Sequence, residues 1–104
     1  MNPDRSCNVH KAVDLIGSKW TLLILHQLCT QKRGFNELLH GIQGINPRAL
    51  SLRLKGMAEH GLVTKTILPN SPPQVEYALT EQGASLKSII EQLGAWAGSL
   101  PAGH

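Results

Sequence analysis

The sequence predicts an α+β fold that is mostly helical, and three features of its 104 residues lead to this expectation. Apolar residues recur at helical spacing in several segments before Gly61, and the spacing changes to alternation directly after it. A Pro-rich segment then separates two alternating runs, which predicts a two-stranded hairpin with an extended tip. A three-helix core followed at once by such a hairpin is typical of a winged helix-turn-helix domain, here with an extra helix at each end.

Three helices are predicted before residue 45. The first covers Asn8–Ile16 and ends at Gly17, after which Ser18 is a favoured N-cap residue for a second helix over residues 19–29. Residues 31–34 predict a turn. Asn36 can cap a short third helix, which carries apolar residues and is broken by two glycines: Leu38, Leu39 and Ile42, with Gly41 and Gly44.

The fourth predicted helix begins at Asn46 and Pro47 and stops before Gly61. Asn is a favoured N-cap residue, Pro suits the first helical position, and Gly suits the left-handed position after a helix. At about 100° per residue, the apolar side chains fall on one face, which should contact the core: Leu50, Leu54 and Met57. The opposite face carries Arg48, Leu52, Lys55 and Gly56, with Ser51 at one margin and Ala49 and Arg53 at the other. Its cations and small polar group suit contacts with DNA phosphates and bases, whereas Leu52 and Gly56 are unusual on an exposed face.

Alternation predicts strands over residues 62–68 and 75–79, joined by a loop over residues 69–74. Prolines at three positions of that loop exclude an interior strand or a helix there. Thr80 can cap one final helix, and apolar residues form a long stripe along it: Leu86, Ile89, Ile90, Leu93, Trp96 and Ala97.

Composition limits the class of protein. Apolar residues make up 41% of the chain and charged residues 16%, which predicts a buried core and not a disordered chain. The length predicts one domain over residues 1–104, with a core at about 7–98 and flexible ends at 1–6 and 99–104. No apolar stretch approaches the roughly 20 residues of a membrane-spanning helix, and the N-terminus lacks a signal-peptide pattern. We therefore expect a cytoplasmic protein with free thiols and no membrane partner.

The charged residues are unevenly distributed. Between Lys32 and Lys65 six basic residues accompany two acidic ones, whereas from Thr66 onward only Lys87 opposes three glutamates. This asymmetry favours binding of a polyanion by the middle of the chain. The net charge of +3 is modest, so charge alone raises the expectation of nucleic-acid binding only slightly.

Five segments of the chain resemble the HxlR family of transcription regulators. They are residues 13–25, with the block Gly-Ser-Lys-Trp-Thr; residues 33–38; residues 44–51, with Asn-Pro-Arg; residues 61–63; and residues 72–83, with Pro-Pro and Val-Glu-Tyr. The resemblance extends from about Cys7 to Trp96, and the combination of the motifs is specific, whereas any one of them alone is weak.

The resemblance implies a homodimeric winged helix that binds double-stranded DNA at a palindromic operator and regulates transcription. It places the dimer interface on the first and last helices, at Val9, Val13, Leu86, Ile89, Ile90, Leu93 and Trp96. It places DNA contacts on the fourth helix and the wing, at Lys19, Asn46, Arg48, Ser51, Leu52, Arg53, Lys55, Lys65, Asn70 and Gln74. Leu52 and Gln74 depart from the family pattern, which is usually polar at the first position and basic at the second, and Gly56 replaces a good helix former.

Cys7 is similar in position to a cysteine that some relatives use to sense oxidants or electrophiles such as aldehydes. The chemistry requires an accessible thiol whose thiolate is favoured by nearby cations or a helix N-terminus. Cys7 directly precedes the first predicted helix, near Arg5 and Lys11. The alternative is a small buried residue with no redox role.

Two further classes of function are compatible with parts of the sequence. One is a winged-helix dimer that acts as a protein-interaction module without sequence-specific DNA binding. The other is a thiol-based or metal-dependent enzyme, since Cys7 and His10, like His26 and Cys29, have ligand-like spacing. Such pairs arise often by chance, and the sequence has no nucleophile-elbow or phosphate-binding motif. We therefore expect no enzymatic activity, no metal and no cofactor.

Overall fold

The computed structural model describes residues 7–101, so the predicted flexible segment 1–6 and residues 102–104 of the other predicted flexible end lie outside the described residues. The elements in chain order are α1 (Asn8–Ile16), α2 (Lys19–Leu28), β1 (Arg33–Gly34), α3 (Phe35–Gly41), α4 (Pro47–Glu59), β2 (Val63–Leu68), β3 (Gln74–Leu79), α5 (Glu81–Ala84) and α6 (Lys87–Gly98). The predicted fold class, a mostly helical winged helix-turn-helix, is confirmed.

Helix α4 begins and ends where the sequence predicts. The Asn46 Oδ1 atom accepts a hydrogen bond from the Ala49 amide at 2.8 Å, and Pro47 occupies the first helical position. Past its C-terminus, Gly61 adopts a φ of 75°, which a residue with a Cβ rarely adopts. These local signals therefore set both ends of the helix on their own.

Of two predicted N-caps, Ser18 is correct in position but makes no capping bond, and Asn36 is wrong. Ser18 occupies the N-cap position of α2, but its side chain makes no capping hydrogen bond. Helix α3 begins at Phe35, so Asn36 lies within the first turn and Gly34 is the N-cap residue. The Gly34 amide donates to the Glu37 Oε1 atom at 2.8 Å, and this bond satisfies an amide that the helix itself leaves without a partner.

The sheet has three strands and not the two of the predicted hairpin, in the order β1-β3-β2. Strand β1 lies in the segment that the sequence predicts as a turn, and it pairs with β3 through Arg33 opposite Tyr77. A strand of two residues has no periodicity to detect, which explains why the pattern missed it. The hairpin itself is confirmed, with β2 and β3 antiparallel and Lys65 opposite Tyr77.

The single final helix that the sequence predicts is interrupted. Helix α5 ends at Ala84, and α6 begins at Lys87 after a turn. Thr80 caps α5 as predicted, since its Oγ1 atom accepts from the Gly83 amide at 3.0 Å and donates to the Gly61 carbonyl at 2.6 Å. The side chain of Ser85 donates to the carbonyl of Gln82, a local bond that competes with a continuous helix.

The core lies between α2, α3, α4 and the sheet. Its fully buried large side chains are Ile24, Leu25, Leu38, Leu50 and Leu54. The predicted core face of α4 is confirmed, because Leu50, Leu54 and Met57 are all buried. Thus α4 is held rigidly by one face, which leaves the opposite face at the surface.

Candidate nucleic-acid interface

The outward face of α4 consists of exposed polar and basic side chains. Asn46, Arg48, Ser51, Arg53 and Lys55 are all exposed along this helix and its N-cap. The three buried side chains on the other face prevent the helix from turning about its axis. A helix that is fixed in this way can present cations and hydroxyls to a groove in one register.

Two basic residues of the middle segment have partners within the chain. The Arg33 Nε atom donates to the carbonyl of Gln27 at 2.8 Å. The Lys32 ammonium lies 3.5 Å from the Glu76 carboxylate. The remaining four, at Arg48, Arg53, Lys55 and Lys65, are exposed on α4 and β2, and so the uneven charge of the sequence becomes a cationic surface on those two elements.

Lys19 lies at the first position of α2, beside the turn between α3 and α4. Its Nζ atom is 4.7 Å from the centre of the Trp20 ring, a cation–π distance. The Trp20 ring in turn approaches Gly44, where a Cβ would meet it at 3.7 Å. Gly44 has a φ of 88° and bends the chain between the two helices. The ammonium therefore lies close to this turn.

The wing, formed by β2 and β3, has one face that continues the core. Val63 and Tyr77 are buried on this face, and Lys65 shares it because Lys65 pairs with Tyr77. Ile67 follows on the same face and is 65% exposed, since the wing extends past the end of the core at this point. Lys65 therefore projects from the side of the sheet that packs against α4.

The two predicted contacts at the tip of the wing bond to each other. The Asn70 Nδ2 atom donates to the Gln74 Oε1 atom at 3.1 Å. Both side chains are exposed, and their mutual bond occupies one donor and one acceptor of the two amides. Lys65 is the one cationic side chain of the wing between residues 63 and 79, and it is exposed.

Leu52 and Gly56, the two unusual residues of α4, lie on the side of the helix that is next to the end of α1. Both line a cleft against the C-terminal end of α1. Leu52 is 58% exposed, and no atom lies within 4 Å of the position that a Cβ on Gly56 would occupy. Sequence periodicity places them opposite the core but cannot place α1 beside them.

Helices α1 and α6 bury no side chain in the single chain. Val9 is 69% exposed and Trp96 is 64% exposed, and four other large apolar residues on these helices are also exposed: Val13, Leu15, Ile89 and Leu93. Leu86 and Ile90 are half-buried against the core and so anchor α6 to the domain. Exposed apolar side chains in this number mark a surface for association.

The two cysteines lie in different environments. Cys7 is exposed and occupies the N-cap position of α1, where its carbonyl accepts from the Lys11 amide at 3.2 Å. Cys29 follows α2 and is half-buried, and this burial raises the pKa of its thiol, an effect that Lys87 opposes. Cys7 is therefore the more accessible thiol.

Within residues 7–101, no three potential ligands among His, Cys, Asp and Glu lie close enough together to hold a metal ion. The spaced pairs of the sequence analysis therefore find no third ligand in this part of the chain. No helix in the same range is long and apolar enough to cross a membrane.

Comparison with known proteins places the chain among transcription regulators. The model of the family described as HxlR-like helix-turn-helix matches residues 15–102. A Synechocystis protein named as an uncharacterized HTH-type transcriptional regulator, sll1512, is 33% identical over 84 residues, which are 81% of this chain and 62% of that protein. This chain therefore covers less than two thirds of the length of that relative.

Two solved structures have the same fold. A Porphyromonas gingivalis protein described as a MarR-family transcriptional regulator superposes with a TM-score of 0.89 at 33% identity, covering 97% of this chain and 99% of its own. The oxidized form of the redox regulator HypR superposes with a TM-score of 0.85 at 34% identity, covering 91% of this chain and 98% of its own.

Proposed function

Because this chain belongs to the family of HxlR-like helix-turn-helix transcriptional regulators, we propose that it binds a specific operator in double-stranded DNA. The observation that carries the proposal is the outward face of α4, where Arg48 and Lys55 are exposed while Leu50 and Leu54 are anchored in the core. On this proposal α4 enters the major groove, and Lys65 of the wing contacts the flanking backbone. Lys19 and Arg53 contact phosphates beside it.

We further propose that the chain acts as a homodimer. The exposed apolar side chains of α1 and α6 support this, because a second copy would remove them from water. A two-fold dimer presents two α4 helices, so its operator has two-fold symmetry with half-sites about 34 Å apart or a multiple of that distance.

Selection of bound duplexes from a random DNA pool, at one fixed salt concentration, tests both proposals. We expect a palindromic consensus, bound by wild type with an affinity that falls steeply as salt rises. Arg48→Ala and Lys55→Ala should each weaken operator binding by about 1–3 kcal/mol, while the exposed Lys87→Ala on α6 serves as the matched control. An enriched pool without consensus would instead favour the protein-interaction module.

Cys7 offers a second, regulatory role, and we propose that its thiol reacts with an oxidant or a small electrophile. Support comes from its exposure, from its place at the N-terminus of α1, and from the likeness to HypR. Modification there would alter the helix that we assign to the dimer. Operator binding should fall after treatment with a thiol-reactive aldehyde and should persist in Cys7→Ser, whereas Cys29→Ser should respond as wild type.

A further inference from the structure

A cleft of about 160 Å³ lies where the end of α1, the start of α2 and one flank of α4 meet. A cavity of about 150 Å³ can hold a molecule the size of benzene. This cleft therefore has room for one small organic molecule. The cleft lies between α1, which we assign to the dimer interface, and α4, which we assign to the DNA contact.

Gly56 keeps this cleft open. It lies in the interior of α4, where Gly is less favourable than Ala, and a Cβ there would meet no atom within 4 Å. Packing within the described chain thus gives no reason for a glycine at this position. One turn earlier, Leu52 lines the same cleft and is 58% exposed. The two residues together form an apolar wall with empty space beside it.

Two hydroxyl groups line the opposite side of the cleft. Ser18 stands at the N-cap position of α2 without making the capping bond that the residue type favours. Thr21, one turn along the same helix, is only 4% exposed and also lines the cleft. A buried polar side chain at a cavity wall is a means of orienting a ligand.

Opposite charges stand on the two walls. Asp14 belongs to α1 and Arg53 to α4, and both line the cleft. Within residues 7–101 the only salt bridge joins Lys32 and Glu76, so the Asp14 carboxylate and the Arg53 guanidinium do not pair with each other. Each is available to a ligand that carries the complementary charge.

We propose that the cleft binds a free α-amino acid with a branched or aromatic side chain. The ammonium group contacts Asp14, the carboxylate contacts Arg53, and the side chain packs on Leu52 where Gly56 leaves space. A zwitterion satisfies both charges at once. A simple acid leaves Asp14 facing another negative charge, and a simple amine leaves Arg53 without a partner.

The regulatory consequence rests on the proposed function, which assigns Arg53 to the DNA backbone. An amino-acid carboxylate and a phosphate then compete for the same guanidinium. Because binding linkage is reciprocal, occupation of the cleft lowers operator affinity by the same factor by which DNA lowers affinity for the amino acid.

Calorimetric titration of the full chain without DNA tests the site by itself. L-leucine is the probe, 4-methylpentanoate is its analogue without the ammonium group, and 3-methylbutylamine is its analogue without the carboxylate. We expect L-leucine to bind at least about tenfold more tightly than either analogue, since each analogue lacks the group for one of the two charge-assisted contacts. Equal binding of all three, or no binding of L-leucine, overturns the proposal.

Variants of the cleft residues test where L-leucine binds. Gly56→Leu fills the open space with a better helix former and should abolish leucine binding while the protein remains folded. Ala58→Leu is the matched control, because Ala58 is an exposed residue of the same helix that does not line the cleft. Asp14→Asn should weaken binding at least about tenfold by removing the ammonium contact. Undiminished binding by Gly56→Leu would show that leucine binds elsewhere.

Operator affinity, measured with and without L-leucine, separates the two proposals. Operator binding by the protein without leucine tests the proposed function. If the protein does not bind DNA, the calorimetric titration still tests whether the cleft binds the amino acid. With both kinds of binding present, we expect L-leucine to weaken operator binding in wild type and not in Gly56→Leu. Unchanged operator affinity in wild type at saturating leucine contradicts the regulatory coupling.

Discussion

Helix α4 and the two terminal helices α1 and α6 have the same kind of amphipathic pattern, yet they differ in what they bury. In α4 the apolar residues Leu50, Leu54 and Met57 are buried within the chain. In α1 and α6 no side chain is buried, and Trp96 remains 64% exposed. An apolar stripe therefore indicates that a helix has a partner surface, but it does not say whether that surface belongs to the same chain.

The largest effect should follow a cavity in the α4 core. Leu54→Ala removes a side chain that is 1% exposed and should lower the free energy of unfolding by about 2–5 kcal/mol, as measured by urea denaturation. Leu52→Ala is the matched control on the same helix. It should change the free energy of unfolding by less than about 0.5 kcal/mol. Similar losses for the two variants would contradict the burial contrast between the faces of α4.

The next effect should appear in association and not in folding of the single chain. Trp96→Ala removes a large exposed apolar side chain of α6 and should weaken the dimer by about 2 kcal/mol or more, measured by sedimentation equilibrium. Ile67→Ala, on the wing, removes a side chain of equal exposure and should leave the dimer unchanged. An unaltered dimer in Trp96→Ala would remove α6 from the interface.

The two cysteines differ in exposure in the same way, since Cys7 precedes the uncovered helix α1 and Cys29 follows the packed helix α2. Because burial raises the pKa of the Cys29 thiol, less of it is thiolate near pH 8, and access to it is limited. Alkylation by iodoacetamide, followed by mass spectrometry, should modify Cys7 about tenfold faster than Cys29. Faster modification of Cys29 would mean that its surroundings open in solution.

The smallest effect distinguishes two N-caps that look alike in sequence. Asn46→Ala removes the 2.8 Å hydrogen bond from the Ala49 amide. It should lower the free energy of unfolding by about 1 kcal/mol, as measured by thermal or urea denaturation. Ser18→Ala removes a side chain that makes no capping bond, so it should lower the free energy of unfolding by clearly less. A larger loss for Ser18→Ala would show that its hydroxyl has a stabilising partner.

Local signals in the sequence predicted α4 and its orientation well, because each acts over a few residues. Asn46, Pro47 and Gly61 mark its ends by their own backbone preferences, and the spacing of its leucines identifies the buried face. The failed predictions for residues 31–36 depended on distant residues, whereas the break in the final helix is accompanied by a local bond from Ser85 to Gln82. Strand β1 exists only because β3 pairs with it, and α3 begins at Phe35 only after that pairing has positioned Gly34.

The candidate site shows the same division. The sequence by itself determined the helices, the hairpin and the basic residues of α4, because periodicity, capping and charge are properties of short segments. Tertiary packing alone decided that α1 and α6 stay uncovered, and that Leu52 and Gly56 face a cleft beside Asp14. Those outcomes depend on where two helices lie relative to each other, which no local pattern encodes.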